Sequence, residues 1–218
     1  MARSGLIRLP PAAVDLSISR SIARRARTPV QRGARVLTRA ADEKLLIAVV
    51  GLAWLGIRLM NADVRTRRRA DHLARTTAAA AALTYVAKCL VDKERPDHRV
   101  VGWRRHGVPR SVRPYNSFPS GHVVHLAAIG AGLARSVPHA WKKHLWLTMG
   151  GLGMTRLVLL AHWPTDLASS FAIGIGLEAA LHRLLGPAGV TEEQAGPRSG
   201  IARHKGSLLS AITEGRRP

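Results

Sequence analysis

Cysteine, aromatic residues and negative charge are all scarce in this sequence. The single cysteine, Cys89, excludes an internal disulfide framework and any CxxC metal or redox motif. Aromatics supply only 4% of the residues, so the 46% apolar fraction rests on Ala, Leu, Val and Ile, with Gly between them. That fraction is too high for a disordered basic chain. No uninterrupted apolar run lies in residues 1–44, which argues against a cleaved secretory signal. Arg24 and Arg25 are followed by Ala26, Arg27, Thr28 and Pro29, not the apolar run of a twin-arginine signal. No internal repeat and no alternating strand pattern is visible. The largest imbalance is in charge: 13 acidic residues face 34 basic ones, a formal net charge of +21 over 218 residues. Such a surplus suggests a nucleic-acid binder, and its location along the chain decides the matter.

Seventeen of the 34 basic residues lie in 1–44 and 92–119, and most others flank apolar segments or sit near the C-terminus. Between them the texture changes. Leu45 to Ile57, Thr76 to Ala87, Val123 to Ala134, Leu145 to Ala161 and Leu167 to Leu181 carry only His125, Arg156 and Glu178 as strongly polar interruptions. With snorkelling flanks each reaches roughly 16–21 residues, close to the length that spans hydrocarbon. A soluble bundle shows one polar face per helix; these segments do not. Gly130-Ala131-Gly132, Gly150-Gly151-Leu152-Gly153 and Gly174-Ile175-Gly176 suit close helix packing in lipid. Trp54, Trp103, Trp141, Trp146 and Trp163 lie mostly near segment ends, where interfacial aromatics sit. The expected fold is an all-α integral membrane bundle of about five spans over residues 45–185. The first span is the weakest, because Arg58 cuts it short. Residues 1–44 are expected as a basic segment, either a solvated tail or one with Val14, Ile18 and Ile22 on one face of a short interfacial helix that Pro29 and Gly33 would end. Residues 186–218 are expected as a basic tail.

Three short patterns carry chemistry. The first is Lys88, six residues, then Arg95-Pro96, at the end of the second segment. The second is Pro119-Ser120-Gly121-His122, opening the third. The third is Thr155-Arg156, then His162 and Asp166, between the fourth and fifth. In an antiparallel bundle all three meet at one face. Lys88, Arg95 and Arg156 are suited to neutralise a phosphate, the arginines bidentately. Ser120 is placed as an N-cap, so the backbone N–H groups from Gly121 onward form an anion site at a helix N-terminus. His162 and Asp166 stand four apart, with Pro164 suited to a first helical turn. Asp166 is expected to accept a hydrogen bond from one ring nitrogen of His162 and so raise the nucleophilicity of the other. His122 is left as the general acid. This set describes phosphate-ester hydrolysis through a phosphohistidine, with no metal and no cofactor.

These residues resemble the three-part signature of the type 2 phosphatidic acid phosphatase superfamily, and His162-Trp163-Pro164-Thr165-Asp166 is similar to its third motif. Where that motif ordinarily begins Ser-Arg, this chain has Thr155-Arg156. The resemblance implies His162 as nucleophile, His122 as acid and then base, and Asp166 as orienter. It implies Lys88, Arg95, Ser120, Gly121, His122 and Arg156 as the phosphoryl-binding set. Six spans are common in the family; here the basic segment 1–44 stands where another would be.

A lipid phosphate is the expected substrate, with a prenyl-linked phosphate or diphosphate favoured because small members of the family resemble lipid-carrier enzymes. Phosphatidate and phosphatidylglycerol phosphate are the alternatives. A haloperoxidase is disfavoured by the apparent spans. A membrane-anchored nucleic-acid binder would need steeply salt-dependent DNA binding, and the charge distribution instead fits anionic membrane lipids, with no nucleic acid as partner. The expected location is a bacterial plasma membrane. Glu178 is expected to pair helices, Cys89 to line the pocket wall, and His72 and His182 to be solvated.

Overall fold

The computed structural model describes residues 5–25, 28–60, 62–101 and 113–186. The tail beyond Gly186 lies outside them, as do Trp103 and His106. The described chain is mostly helical. In order it forms β1 (Ile7–Arg8), α1 (Ala13–Arg25), α2 (Thr28–Ala40), α3 (Glu43–Leu59), α4 (Val64–Leu90), β2 (Val91–Asp92), α5 (Pro96–Arg99), α6 (Gly121–Ala134), α7 (His139–Val158) and α8 (Pro164–Leu185). Five of these, α3, α4, α6, α7 and α8, contain the five apolar segments. Asp42 caps α3 by accepting from the backbone N–H groups of Lys44 and Leu45 at 3.0 and 3.3 Å. Asp63 caps α4 through Thr66 N–H at 2.9 Å.

The bundle is built around α6. Ten of its 14 residues are buried, Gly121 and all of Val123 to Ala131. A helix apolar on every side belongs in the centre, and α3, α4, α7 and α8 pack on it. The approach of α8 is closest at Gly174. A Cβ there would lie 2.5 Å from the Val124 carbonyl oxygen and 2.7 Å from the Ala127 Cβ, so any side chain would push the helices apart. Gly130 and Gly132 meet Met149 and Leu73, but Gly150, Gly151 and Gly176 face open space. Close packing therefore accounts for part of the glycine content only.

The expected spans are corrected in one respect. Among the described residues no helix is long and apolar enough to cross a membrane by itself. The reasons are specific. At about 1.5 Å per residue, the 14 residues of α6 cover about 21 Å, short of a hydrocarbon core of about 30 Å. The first half of α4 carries Arg65, Arg67, Arg68, Arg69, Asp71 and Arg75 inside the helix. Arg58 is the penultimate residue of α3, which ends at Leu59, and its guanidinium reaches Asp71 of α4 at 2.6 Å.

The N-terminal segment is part of the bundle. Pro29 does not stop a helix; it is the second residue of α2, where its missing N–H costs nothing. In α1 the buried residues are Asp15 and Ser19. Ile22 packs on Val123, Leu157 and Leu167, while Val14 and Ile18 stay exposed. Ahead of α1, β1 pairs in parallel with β2, Ile7 opposite Val91 and Arg8 opposite Asp92.

At the other end of the bundle, Glu178 pairs helices. Arg135 donates to its two oxygens at 2.7 and 2.9 Å, and His72 Nε2 lies 3.0 Å from Oε1. His72 is consequently buried, not solvated, and His182 stacks edge-on against it at 5.6 Å.

Candidate active site

The three sequence patterns meet at one end of the bundle. Lys88 comes from the end of α4 and Arg95 from the link before α5. Ser120, Gly121 and His122 open α6, Arg156 closes α7, and His162 and Asp166 flank the start of α8. Two features of the backbone align them. Residues 114–117 run beside 93–95: Lys93 N–H donates to Tyr115 O at 3.1 Å, Arg95 N–H to Pro114 O at 2.8 Å, and Ser117 N–H to Lys93 O at 3.0 Å. After α7 the chain turns through Leu160, whose φ of +53° is a left-handed conformation that costs a residue with a Cβ about 1–2 kcal/mol. Leu160 N–H donates to Leu157 O, and its carbonyl accepts from Asp97 N–H at 3.0 Å, so the turn is held from both sides.

His162 is buried at the end of that turn. Its Nδ1 faces the backbone carbonyl of Ser117 at 2.5 Å. A carbonyl only accepts, so Nδ1 carries the proton and Nε2 keeps its lone pair. Burial holds His162 well below its ordinary pKa range, with Arg95 and Arg156 adding to the effect, so the ring is neutral. The expected partner of His162 was Asp166, and the structure differs. Asp166 Oδ1 accepts from Lys93 Nζ at 2.7 Å, while Oδ2 accepts from Ser117 Oγ at 2.5 Å and Trp163 N–H at 3.2 Å. The reason is that α8 begins at Pro164, so His162 precedes the helix and the four-residue spacing does not put the two side chains on one helical face. Ser117 stands between them: its hydroxyl is fixed by Asp166 and its carbonyl orients His162.

Asp166 belongs to a buried charge cluster that the sequence did not reveal. Lys93 is 6% exposed and also donates to Thr165 Oγ1 at 3.0 Å. Asp15 of α1, fully buried, lies 3.6 Å from Lys93 Nζ and accepts from Thr165 N–H at 2.9 Å and Thr165 Oγ1 at 2.7 Å. One cation between two carboxylates, with hydrogen bonds filling the remaining lone pairs, makes burial of all three tolerable.

The remaining residues frame an anion site. Arg95 is held by the carbonyls of Ala161 and Asn116 at 3.1 and 2.9 Å, and Arg156 donates to Thr38 Oγ1 of α2 at 3.3 Å. Ser120 caps α6 by its backbone position, and its buried hydroxyl has no partner among the described residues. Gly121 presents bare backbone at the helix N-terminus. Against it lies the carboxylate of Glu43: a Cβ on Gly121 would be 1.7 Å from Glu43 Oε2 and 3.3 Å from Lys88 Nζ. Lys88 Nζ is 3.8 Å from Glu43 Oε2, and His122 Nε2 is 3.7 Å from Asp42 Oδ2. An internal carboxylate thus lies against the α6 N-terminus and Lys88, the groups expected to receive a phosphate. Burial, with Arg156 next, lowers His122 to about 3, against the opposing pull of Asp42. Cys89, expected in the pocket wall, is exposed. His125 turns inward and donates from Nδ1 to Gly121 O at 2.8 Å, within its own helix.

Sequence reasoning missed Asp15, Asp42, Glu43, Lys93 and Ser117. A usable signal existed for three of them: Asp15, Asp42 and Glu43 are the only acids among the ten basic residues of 1–44.

A helical bundle that gathers two neutral histidines, three cations and a helix N-terminus at one end has the chemistry of a phosphate site. The sequence profile of the PAP2 superfamily matches residues 72–188, and the chain belongs to that superfamily. Over 127 residues it is 29% identical to decaprenylphosphoryl-5-phosphoribose phosphatase of Mycobacterium tuberculosis, from strains CDC 1551 / Oshkosh and ATCC 25618 / H37Rv. That match covers 56% of this chain and 66% of the relative, just under two thirds of its length. Among solved structures the fold is similar to Aquifex aeolicus LpxE, with a TM-score of 0.60 and 15% identity, covering 81% of this chain and 99% of that one. It is also similar to a transmembrane PAP2 type phosphatidylglycerolphosphate phosphatase from Bacillus subtilis, with a TM-score of 0.56 and 17% identity, covering 84% and 87%.

Proposed function

We propose that the chain is a membrane-embedded lipid-phosphate phosphatase acting through a phosphohistidine on His162. Nε2 of His162 attacks phosphorus, and the bond from phosphorus to the lipid oxygen breaks. The leaving oxygen takes a proton from His122. A water deprotonated by His122 then attacks the phosphohistidine, releasing inorganic phosphate and freeing Nε2. His122 is neutral in the resting site, since its pKa is about 3 there. A phosphate entering as its monoanion carries a proton that His122 takes up, and its charge offsets Arg156, Lys88 and Arg95, whose field adds to burial in holding the His122 pKa down. Asp166 acts through Ser117, and Lys93 and Asp15 hold Asp166 in place. All steps are carried by side chains, so turnover is expected to survive chelation by EDTA.

The observation that carries this reading is the fixed tautomer of a buried, neutral His162 beside Arg95 and Arg156. A prenyl-linked phosphate is the favoured substrate, supported by the likeness to a relative named for a decaprenylphosphoryl compound. Membrane embedding is supported by large apolar side chains left exposed on α3, α4 and α7, among them Leu52, Leu55, Tyr85, Val86, Trp141 and Leu147. The test is phosphate release by purified protein from prenyl phosphates and diphosphates, phosphatidate and phosphatidylglycerol phosphate, beside His162→Ala. Release from a prenyl substrate that vanishes in the variant supports the reading. No release from any of these lipids, or equal release by His162→Ala, refutes it.

A further inference from the structure

A cavity of about 870 Å³ opens at the end of the bundle away from the catalytic residues, between α4, α6, α7 and α8. Along α6, Ala131 is the first residue to line it, about 15 Å from Gly121 at the proposed phosphate site. Arg65, Arg69 and Lys142 line it together with Leu73, Trp146 and Ile175. Among the described residues the one acid in its lining is Glu178. That carboxylate is spent, because Arg135 binds both its oxygens and His72 a further lone pair. Among the described residues no carboxylate pairs with Arg65, Arg69 or Lys142.

The sign of the ligand follows from this balance. His72, Glu178 and His182 bring three ligand-type atoms within 4.8 Å of one another, which by spacing alone would suit a metal ion. A divalent cation there would share its carboxylate with a guanidinium and sit in the field of three further cations. An anion gains from the same field. An inorganic anion would use the cations and leave Leu73, Trp146 and Ile175 uncovered. An amphiphile with a phosphate head uses both, and basic pockets between helices at a membrane face suit such headgroups.

We infer that this cavity binds an anionic phospholipid, its headgroup phosphate against Arg65, Arg69 and Lys142 and its glycerol and first acyl carbons against Leu73, Trp146 and Ile175. The site is separate from the proposed catalytic end, and its lipid is a bound partner that is not turned over.

The test is lipid retention by the full chain in neutral detergent, read by native mass spectrometry after exposure to phosphatidylglycerol or phosphatidylcholine. Phosphatidylglycerol is expected to stay bound and phosphatidylcholine to be lost. At about 1 kcal/mol per basic residue, Arg65→Gln with Lys142→Gln should weaken retention about thirtyfold. The charge-keeping pair Arg65→Lys with Lys142→Arg should restore it, which separates lost charge from misfolding. Arg156→Gln, at the catalytic end, should retain the lipid. Equal retention of phosphatidylcholine overturns the inference, as does loss in Arg156→Gln with persistence in the double variant. Complete displacement by millimolar inorganic phosphate overturns the amphiphile in favour of a small-anion site.

Discussion

The carboxylate of Glu43 makes a quantitative prediction. It lies against Gly121 and 3.8 Å from Lys88 Nζ, where the proposed function puts a phosphate oxygen. A phosphate entering the site must displace it. At 3.8 Å a pair of unit charges is worth about 1 kcal/mol in bulk water and about 4 kcal/mol at an effective dielectric of 20. The Lys88 and Glu43 side chains are 22% and 32% exposed, so screening keeps the value near the lower end, at about 1.5 kcal/mol. Glu43→Gln removes this competitor while keeping the side-chain shape. Phosphate should then bind about tenfold more tightly. The assay is competitive inhibition of turnover by inorganic phosphate and by vanadate, with KM and kcat measured separately. Inhibition constants should fall about tenfold, KM should fall with them, and kcat should stay nearly constant unless product release limits it. Glu43→Asp, which keeps the charge on a shorter arm, should lie between. Lys88→Met should move the constants the other way. Inhibition constants within about twofold of wild type in Glu43→Gln would show that the carboxylate does not compete for the phosphate position, and the argument from charge would be wrong.

Other consequences are as direct. Ser117→Ala removes the hydroxyl that ties the His162 carbonyl partner to Asp166, so kcat should drop about tenfold with KM little changed, and Ser117→Thr should recover most of it; an unchanged kcat would remove Ser117 from the positioning chain. Asp15→Ala strips the acceptor of Thr165 N–H and Thr165 Oγ1 and a partner of Lys93, which should cost about 2–4 kcal/mol and lower Tm by roughly 10 °C. A fall in Tm under about 2 °C would show that α1 is not held by this cluster. His122 is lowered from 6.5 to about 3 by burial first, so below pH 6.5 the unfolded chain binds a proton that the folded one refuses. Stability should therefore fall as pH drops from 6.5 toward 3, and His122→Gln should flatten that slope; a Tm independent of pH over this window would contradict the lowered value.

The sequence made the site legible where chemistry alone dictates residue type. Lys88, Arg95, Ser120, Gly121, His122, Arg156, His162 and Asp166 are all at one end of the bundle because the patterns fall at the ends of apolar segments that become α4, α6, α7 and α8. Relations that depend on backbone path were hidden. The spacing of His162 and Asp166 reads as one helical face only if the helix starts before His162. It starts at Pro164, after a left-handed turn at Leu160 that no glycine announces. Likewise Asp15 meets Thr165 across 150 residues of chain, a contact with no local trace. The helix positions were legible from hydropathy, but the helix lengths were not. Runs free of charge mark where helices lie, and α6 ends after 14 residues.

The scarcity of acid is where local and global organisation connect. With 13 carboxylates among 34 cations, each acid placed inside the fold has several possible partners, and its choice carries information. Asp15 and Asp166 surround Lys93 and take it out of the substrate's reach, which leaves Arg95, Arg156 and Lys88 as the cations facing the anion site. Asp42 and Glu43 then temper that site from the N-terminus of α3, one beside His122 and the other beside Lys88. Under the proposed function, three cations and a helix N-terminus without them would hold inorganic phosphate, the product, as firmly as the substrate headgroup. A carboxylate that competes equally with both weakens the retention of product, and the apolar tail of a lipid supplies the extra binding that favours substrate. Under the proposed function the few acids tune the release of product, and the many bases outside the site suit an anionic membrane surface.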